Sequence, residues 1–274
     1  MAIQIDLPLQ VGGSSSAAPV NLRCRRLPLE EQLGVGAVGI TWRSHLPDGT
    51  AVAVKRLRAP DREPGGRLGR LQRPGHLGCV NLLDVVSAFQ EDGHLWVASR
   101  FDDGVCLSRL QELGPLPPAC AVGVGTAVLG GLSSLHEAGL WHGAVHARNV
   151  HVGRDGIVRL GDYGLAGEPA GESTAALRAA DVRAAGTLLA SCLGMVLRPD
   201  RGARGGRPGT RLGLAVRAII GSPRLLPAGH EAAHASLTLW EGARALAGER
   251  RQAQARAQLA GMVAEIINGD VSRL

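Results

Sequence analysis

Aromatic residues are scarce in this sequence, at 3% of 274 residues, and lysine occurs once among the 30 basic residues. With so few aromatic rings, Leu, Val and Ala have to fill the core. The other basic residues are arginines, and the formal net charge is +6. Such a charge permits anionic partners, but the arginine bias of GC-rich genes accounts for part of it. We therefore expect no nucleic-acid partner.

Disulfide and zinc frameworks are also missing. The cysteines are odd in number and form no Cys-x-x-Cys pair; they are Cys24, Cys79, Cys106, Cys120 and Cys192. This pattern argues against a disulfide framework and against a structural zinc site. The N-terminus carries Asp6 in its first apolar stretch with no cationic segment before it, so we expect no secretory signal there. These absences predict a cytoplasmic protein.

One uncharged run, from Gly114 to Leu135, has about the length that could cross a bilayer. Prolines break its start, and its many glycines and serines make it only weakly apolar. We therefore expect no membrane association. The run instead predicts a buried core helix that starts near Pro118, because proline suits the first turn of a helix.

The secondary-structure signals change at about residue 105. Residues 1–28 contain a Gly-Gly-Ser-Ser-Ser stretch and are predicted to be a flexible leader. The β-prone runs 40–42 and 51–54 flank a Pro-Asp-Gly turn and predict a hairpin. Two further strands are expected at 80–86 and 95–98, around a Glu-Asp-Gly turn. Helical patterns follow residue 105, interrupted by a second predicted hairpin at 149–160.

A glycine-rich turn and the single lysine are spaced as a phosphate site requires. Gly34, Gly36 and Gly39 precede a strand, and glycines there let backbone amides approach phosphate oxygens. In a chain with 39 glycines, such a turn also arises by chance. Lys55 directly follows the apolar run Ala51–Val54, where its compact cation can neutralise phosphate oxygens. The two features together favour a bound nucleotide.

Several segments in this order make the sequence resemble the protein kinase family, of the bacterial serine/threonine type, over residues 29–247. Besides the glycine turn and the lysine, they are Ser99–Gly104 at the hinge, Trp141–Asn149 at the catalytic loop, Asp162–Gly164 at the magnesium motif and the helix around Asp181. The resemblance implies an α+β, bilobal protein-kinase-like fold. Its β-rich N-lobe would cover about 29–100, its helical C-lobe 101–247, and a helical extension 248–274.

The resemblance also assigns ligands. It implies an ATP site formed by Gly34, Gly36, Gly39, Ala53, Lys55, Ser99, Asn149 and Asp162. Ser99 would be a small gatekeeper, and Asn149 and Asp162 would coordinate Mg²⁺. Taken singly, Asn149 could be a capping residue and Asp162 a turn residue. Asp181 would lie on a buried helix that supports the catalytic loop.

The residues that transfer phosphate in the family are replaced. Its catalytic aspartate aligns with Ala144, whose methyl group cannot accept a proton, so we assign no catalytic residue. The preceding arginine aligns with Gly143 and the following lysine with His146, which removes the partner of an activation-loop phosphate. No Ala-Pro-Glu sequence lies between Asp162 and Asp181. The platform that holds a peptide substrate is therefore predicted to be absent.

The family's helix that supplies a glutamate to the lysine is interrupted here by Pro60, Pro64, Gly65, Gly66, Gly69, Pro74 and Gly75. We expect a short helix or none. Asp61 and Glu63 are the nearby carboxylates, and Asp162 is the alternative partner of Lys55.

Three further features are predicted to be structural. The arginine-rich run 198–211 lacks interleaved aromatic rings and is predicted to be a solvated loop rather than a nucleic-acid binder. His142, His146 and His151 have no cysteine or second carboxylate nearby, so this histidine series is poor zinc chemistry. Residues 240–267 predict a long helix ending at Asn268–Gly269, with apolar positions Leu246, Leu259, Met262, Val263, Ile266 and Ile267. We expect this helix to dock on the helical lobe, with a partner protein as the alternative.

Together these features predict a cytoplasmic pseudokinase that binds ATP with Mg²⁺ and acts in signalling on a protein partner, as a regulator or scaffold. The alternatives are a weakly active serine/threonine kinase that positions the nucleotide without the usual base, and a scaffold that binds no nucleotide.

Overall fold

The structure is a computed structural model that describes residues 4–7, 25–58, 66–72, 77–167, 171–195, 211–221, 232, 234–235, 238 and 249–271. The chain divides into two compact units. Unit 1 comprises Met1–Gly78 with Leu83–Phe101, and unit 2 comprises Cys79–Leu82 with Asp102–Leu274. Each unit is described by itself below.

Unit 1 is built mainly of strands. They are β1 (Gln4–Leu7), β2 (Arg25–Pro28), β3 (Glu31–Val35), β4 (Gly39–His45), β5 (Ala51–Leu57), β6 (Val85–Glu91) and β7 (His94–Arg100), with helix α1 (Gly66–Gln72) between β5 and β6. An antiparallel sheet has the order β3-β4-β5-β7-β6, and β1 pairs with β2 separately. The predicted first hairpin is confirmed by β4 and β5. The strand predicted at 80–86 begins only at Val85, because Val80 lies in a turn and is 61% exposed.

The period-two alternation of β5 decides which of its residues are buried. Val52 and Val54 are fully buried in a cluster with Trp96 of β7 and Phe89 of β6. Because successive side chains of a strand point to opposite faces, Lys55 lies on the face opposite this cluster. The opposite face is also partly apolar, since Lys55 pairs with Val97, which is 4% exposed, and Leu57 two residues further along β5 is 1% exposed.

The core of unit 1 extends into the segment predicted to be a leader. Leu27 on β2 is 1% exposed and belongs to the same cluster. Ser44 on β4 donates a hydrogen bond from Oγ to the carbonyl oxygen of Pro28 at 2.6 Å. Strand β2 is therefore a packed part of unit 1, because burying Leu27 outweighs the flexible composition before it. Residues 8–24 of the predicted leader lie outside the described residues.

Unit 2 is mainly helical. Its elements are β8 (Val105–Cys106), α2 (Leu107–Gln111), α3 (Pro118–Glu137), a 3₁₀ turn (Ala147–Asn149), β9 (Val150–Val152), β10 (Val158–Leu160), α4 (Thr174–Cys192), α5 (Arg211–Gly221) and α6 (Glu249–Val271). Strands β9 and β10 form the predicted second hairpin, and β8 joins them in the order β10-β9-β8.

Helix α3 is the predicted core helix, and it starts at Pro118 as expected. Within the described part of the chain it is the one helix long and apolar enough to cross a membrane. Its buried residues include Val124, Val128 and Leu132, which pack inside unit 2. Burial of this kind is typical of the central helix of a globular domain.

Helix α6 docks on unit 2, which confirms the first of the two expectations for the C-terminal helix. Ala255, Leu259 and Val263 recur every four residues along one face and are at most 2% exposed. The Cys120 thiol of α3 donates to the carbonyl oxygen of Ala255 at 3.6 Å, and burial raises the pKa of this thiol, which keeps it protonated. The helix ends later than predicted, and residues 240–248 of the prediction, including Leu246, lie outside the described residues.

Candidate functional site

The loop that resembles the catalytic loop lies in unit 2 between α3 and β9, and a buried carboxylate of α4 holds it. Asp181 is 2% exposed. Its Oδ2 accepts a hydrogen bond from the backbone N–H of His142 at 2.7 Å, and its Oδ1 accepts one from Gly143 at 2.8 Å. Bonds from backbone amides to a buried carboxylate are strong. The supporting role predicted for Asp181 is therefore confirmed.

Two buried histidines complete this support. His136 of α3 donates from Nε2 to Oδ2 of Asp181 at 3.1 Å. His142 donates from Nε2 to the carbonyl oxygen of Gly161 at 2.9 Å, and its Nδ1 accepts from the Ala144 N–H at 3.1 Å. Burial lowers the pKa of His142, although the carboxylate of Asp181 opposes the shift. His142 is therefore neutral and engaged at both nitrogens, in a structural role.

Asn149 stands at the start of the β9–β10 hairpin and is 9% exposed. Its side-chain Nδ2 donates to the carbonyl oxygen of Ala144 at 2.9 Å, and its own carbonyl oxygen accepts from Gly161 at 2.8 Å. Because the amide nitrogen faces Ala144, the amide oxygen Oδ1 is the atom that Asn149 can offer to a ligand.

Asp162 lies at the same end of this hairpin as Asn149, since it follows β10 where Asn149 precedes β9. Its φ of +61° is in the left-handed region that non-glycine residues rarely occupy. Gly164 follows with a φ of +72°, and Tyr163 between them is 3% exposed. Unusual backbone conformations of this kind cluster at functional sites. The structure therefore brings together Asn149 and Asp162, the two residues predicted to bind metal.

The tip of the loop offers few reactive side-chain groups. Gly143 has a φ of +77°, and a Cβ added there would lie 2.6 Å from the Cβ of Ala166. Ala144 contributes a methyl group, and the side chains of His146 and Arg148 are exposed. Since α4 already begins at Thr174, capped by Ser173 Oγ, the stretch between the Asp-Tyr-Gly motif and α4 is short.

In unit 1, the glycine-rich turn joins β3 and β4. The N–H of Gly36 donates to the carbonyl oxygen of Gly39 at 2.8 Å. A Cβ on Gly34 would meet nothing within 4 Å, whereas a Cβ on Gly39 would lie 2.1 Å from the carbonyl oxygen of Arg56. Gly39 is therefore required by the close approach of β5, a reason that the sequence did not reveal. Gly34 and Gly36 retain open space for a ligand.

Lys55, Ala53 and Ser99 share one face of the sheet in unit 1. Ala53 pairs directly with Ser99 across β5 and β7, and Lys55 lies two residues further along β5. Directly opposed residues and residues two apart point to the same side of a sheet. All three are half-buried. Strand register therefore brings these predicted ligand residues together.

Helix α1 occupies the stretch predicted to hold a short helix or none. It is seven residues long and carries no acidic residue. Gly66 and Gly69 lie inside it, and the candidate carboxylates Asp61 and Glu63 lie outside the described residues. This helix supplies no glutamate to Lys55.

The oxygen ligands in unit 2 suit Mg²⁺, which is a hard cation. Among the described residues, no three histidine, cysteine, aspartate or glutamate side chains form a metal cluster. Proteins usually hold Mg²⁺ with one or two side chains, and substrate phosphates and water complete the octahedron. Asn149 and Asp162 fit a metal ion that binds together with a nucleotide.

Two units together define a protein-kinase-like fold. One is rich in strands and carries Lys55 on β5. The other is helical and contains the loop held by Asp181 and the Asp-Tyr-Gly turn. A family model described as protein tyrosine and serine/threonine kinase matches residues 27–183, which is more than half of the chain. The chain therefore belongs to this kinase family.

Individual relatives agree with that assignment. The serine/threonine-protein kinase PknL of Mycobacterium tuberculosis is 42% identical over 69 residues, which span 25% of this chain and 17% of PknL. PknH of the same organism is 29% identical over 150 residues, 50% of this chain and 23% of PknH. The chain thus matches less than a quarter of either relative's length.

A solved structure supports the fold independently. The crystal structure of the Mycobacterium tuberculosis PknI kinase domain matches with a TM-score of 0.62 and 24% identity, covering 78% of this chain and 95% of the domain. The predicted fold, with a β-rich N-lobe and a helical C-lobe, is confirmed.

Proposed function

We propose that this chain is a cytoplasmic pseudokinase that binds ATP with Mg²⁺ and regulates or scaffolds a signalling partner protein. Gly34, Gly36, Lys55, Ala53 and Ser99 of unit 1 would bind the nucleotide. Asn149 and Asp162 of unit 2 would hold the metal ion, which neutralises phosphate charge when bound. Gly39 stays in this proposal as a residue that shapes the turn.

The observation that carries the proposal is the hydrogen bond between Asn149 and residue 144, together with the identity of residue 144. The side-chain Nδ2 of Asn149 donates to the carbonyl oxygen of residue 144, which leaves the amide oxygen as the atom that Asn149 can offer to a metal ion. Residue 144 itself is an alanine, which offers no group to a hydroxyl nucleophile. A loop that is held in place but carries alanine where the resemblance implies the catalytic aspartate supports a role in binding rather than in phosphate transfer.

The expected loss of reaction rate favours ATP binding over phosphate transfer as the function. Removal of a general base typically costs about a hundredfold to ten-thousandfold in rate. Phosphoryl transfer depends mostly on positioning and charge neutralisation, so this loss alone would leave a slow enzyme. The short segment before α4 removes the substrate platform as well. ATP binding depends on neither feature.

A thermal-shift experiment with ATP and Mg²⁺ tests nucleotide binding. At one hundred times the Kd, a ligand stabilises the folded protein by about 2.7 kcal/mol, which raises Tm by several degrees. We expect this rise for the wild type and for Arg109→Met, which removes an exposed cation from α2. We expect no rise for Lys55→Met. Absence of a shift in the wild type would favour the nucleotide-free scaffold.

Radiolabel transfer from [γ-³²P]ATP separates the pseudokinase from the weak kinase. We expect no label above background in the chain itself or in a generic protein substrate. Label that appears with the wild type and disappears with Lys55→Met would show a weakly active kinase. Label that persists in Lys55→Met would indicate a contaminating activity.

A further inference from the structure

Both carboxylate oxygens of the residue at which the chain enters unit 2 accept a hydrogen bond. Asp102 directly follows the last residue of unit 1, and its side chain is 6% exposed. Its Oδ1 accepts from the N–H of Gly104 at 3.0 Å, and its Oδ2 accepts from Arg159 of β10 at 2.9 Å. The start of unit 2 is therefore tied to the β9–β10 hairpin.

The same arginine continues toward the turn of that hairpin. Arg159 donates through its second terminal nitrogen to Asp155 at 3.3 Å. Burial opposes ionisation of Asp155, but the N–H of Ile157 and the guanidinium groups of Arg159 and Arg256 outweigh it and lower its pKa. Asp155 is therefore ionised at neutral pH and can bind both arginines.

Helix α6 forms the last step. Arg256 donates from Nε to the carbonyl oxygen of Asp155 at 2.8 Å, and its terminal nitrogen lies 3.7 Å from the Asp155 carboxylate. Gly156, with a φ of +73°, brings the turn so close that an added Cβ would lie 2.1 Å from the carbonyl oxygen of Arg256. The backbone of α6 thus packs directly against the turn.

The other end of this chain of contacts is equally tight. A Cβ added to Gly104 would lie 1.9 Å from the carbonyl oxygen of Val152, and Val105 and Cys106 pair with Val152 and His151 of β9. Segment 102–106 therefore rests on the hairpin whose turn rests on α6. Close-packed interiors transmit strain, so these contacts form a continuous mechanical connection between α6 and this segment.

We propose that docking of α6 on the β9–β10 turn holds segment 102–106 in place, so that α6 is an intramolecular regulator of the entry into unit 2. The exposed ion pairs contribute little energy singly, and close packing at Gly156 and Gly104 provides the mechanical connection. That α6 also tunes ATP affinity rests on the proposed function, because segment 102–106 follows Ser99.

Hydrogen exchange of the nucleotide-free protein tests the proposal. Arg256→Ala removes the contacts of α6 with Asp155 and changes no residue of the hairpin or of segment 102–106. We expect it to speed exchange several-fold at the amides of Gly104, Val105 and Cys106. Arg251→Ala, at an exposed position of the same helix, is the control and should leave these amides within twofold of the wild type. Equal exchange in the two variants would overturn the proposal.

Gly156→Ala perturbs the same contact more strongly. We expect at least tenfold faster exchange at 104–106 and in α6. Gly139→Ala is the matched control, because Gly139 has a similar φ of +78° but open space around it. Faster exchange in α6 without a change at 104–106 would overturn the proposal, as would equal effects of the two substitutions.

The ATP titration is a separate arm of the experiment. If ATP binds the wild type, Arg256→Ala should weaken binding several-fold and Arg251→Ala should not. If the wild type binds no ATP while the exchange pattern is as expected, the proposed function fails and the coupling of α6 stands. If ATP binds both variants equally, the link to affinity is rejected.

Discussion

The two units position their candidate ligand residues by different means. In unit 2, buried polar side chains reach across the sequence: Asp181 holds the loop at His142 and Gly143, and Asn149 binds the carbonyl of Ala144. In unit 1, regular strand register places the residues around Lys55. A site held by a few buried bonds should fail when one of them is removed. A site held by a whole sheet should tolerate loss of a single polar group.

The largest expected effect is that of Asp181→Ala. It leaves the N–H groups of His142 and Gly143 and the His136 ring without their buried acceptor, which costs about 3–5 kcal/mol of unfolding free energy. Urea denaturation measures the loss. The control is Asp84→Ala, which breaks an exposed ion pair with Arg100 and should cost under about 1 kcal/mol. Similar losses for the two variants would remove the contrast between the units.

The glycine turn of unit 1 provides the next effect. Gly39→Ala places a methyl group against the carbonyl oxygen of Arg56, and such overpacking costs about 1–3 kcal/mol. Gly34→Ala has open space and should change stability by under about 0.5 kcal/mol, while hindering backbone approach to a phosphate. Denaturation and ATP titration of both variants therefore separate the glycine needed for packing from the glycine proposed for ligand binding.

The pH dependence of stability tests the buried support in unit 2. Burial depresses the pKa of His142 below its ordinary value of 6.5. Below that pH His142 binds a proton in the unfolded chain but stays neutral in the folded chain. The contribution of His142 to the free energy of unfolding is therefore fully present above about pH 6.5. Below that pH the free energy of unfolding falls by up to about 1.4 kcal/mol per pH unit. Urea denaturation between pH 5 and pH 8 should show a smaller slope for His142→Asn, and an unchanged slope would contradict the assignment.

The parts of the candidate site that depend on local order can be predicted from the sequence. Short patterns mark Lys55 after an apolar strand, Asp162 in an Asp-x-Gly turn and the helix of Asp181, and the ligand roles of Lys55 and Asp162 stay predictions. The contacts of His136 with Asp181 and of Gly39 with Arg56 join residues far apart in sequence, and nothing in the sequence marks them. The composition of residues 1–28 predicts a leader that includes Leu27, because the burial of Leu27 depends on a sheet formed by residues that follow it.

A much smaller effect than that of Asp181→Ala is expected at a buried polar residue of unit 1. Ser44 is fully buried, and its Oγ donates to the carbonyl oxygen of Pro28 at 2.6 Å. Ser44→Ala removes one neutral hydrogen bond, while β4 stays paired on both sides. We expect a loss of about 1 kcal/mol by urea denaturation, with ATP affinity unchanged because strand register still places Lys55. A loss as large as that of Asp181→Ala would show that unit 1 also depends on single buried bonds.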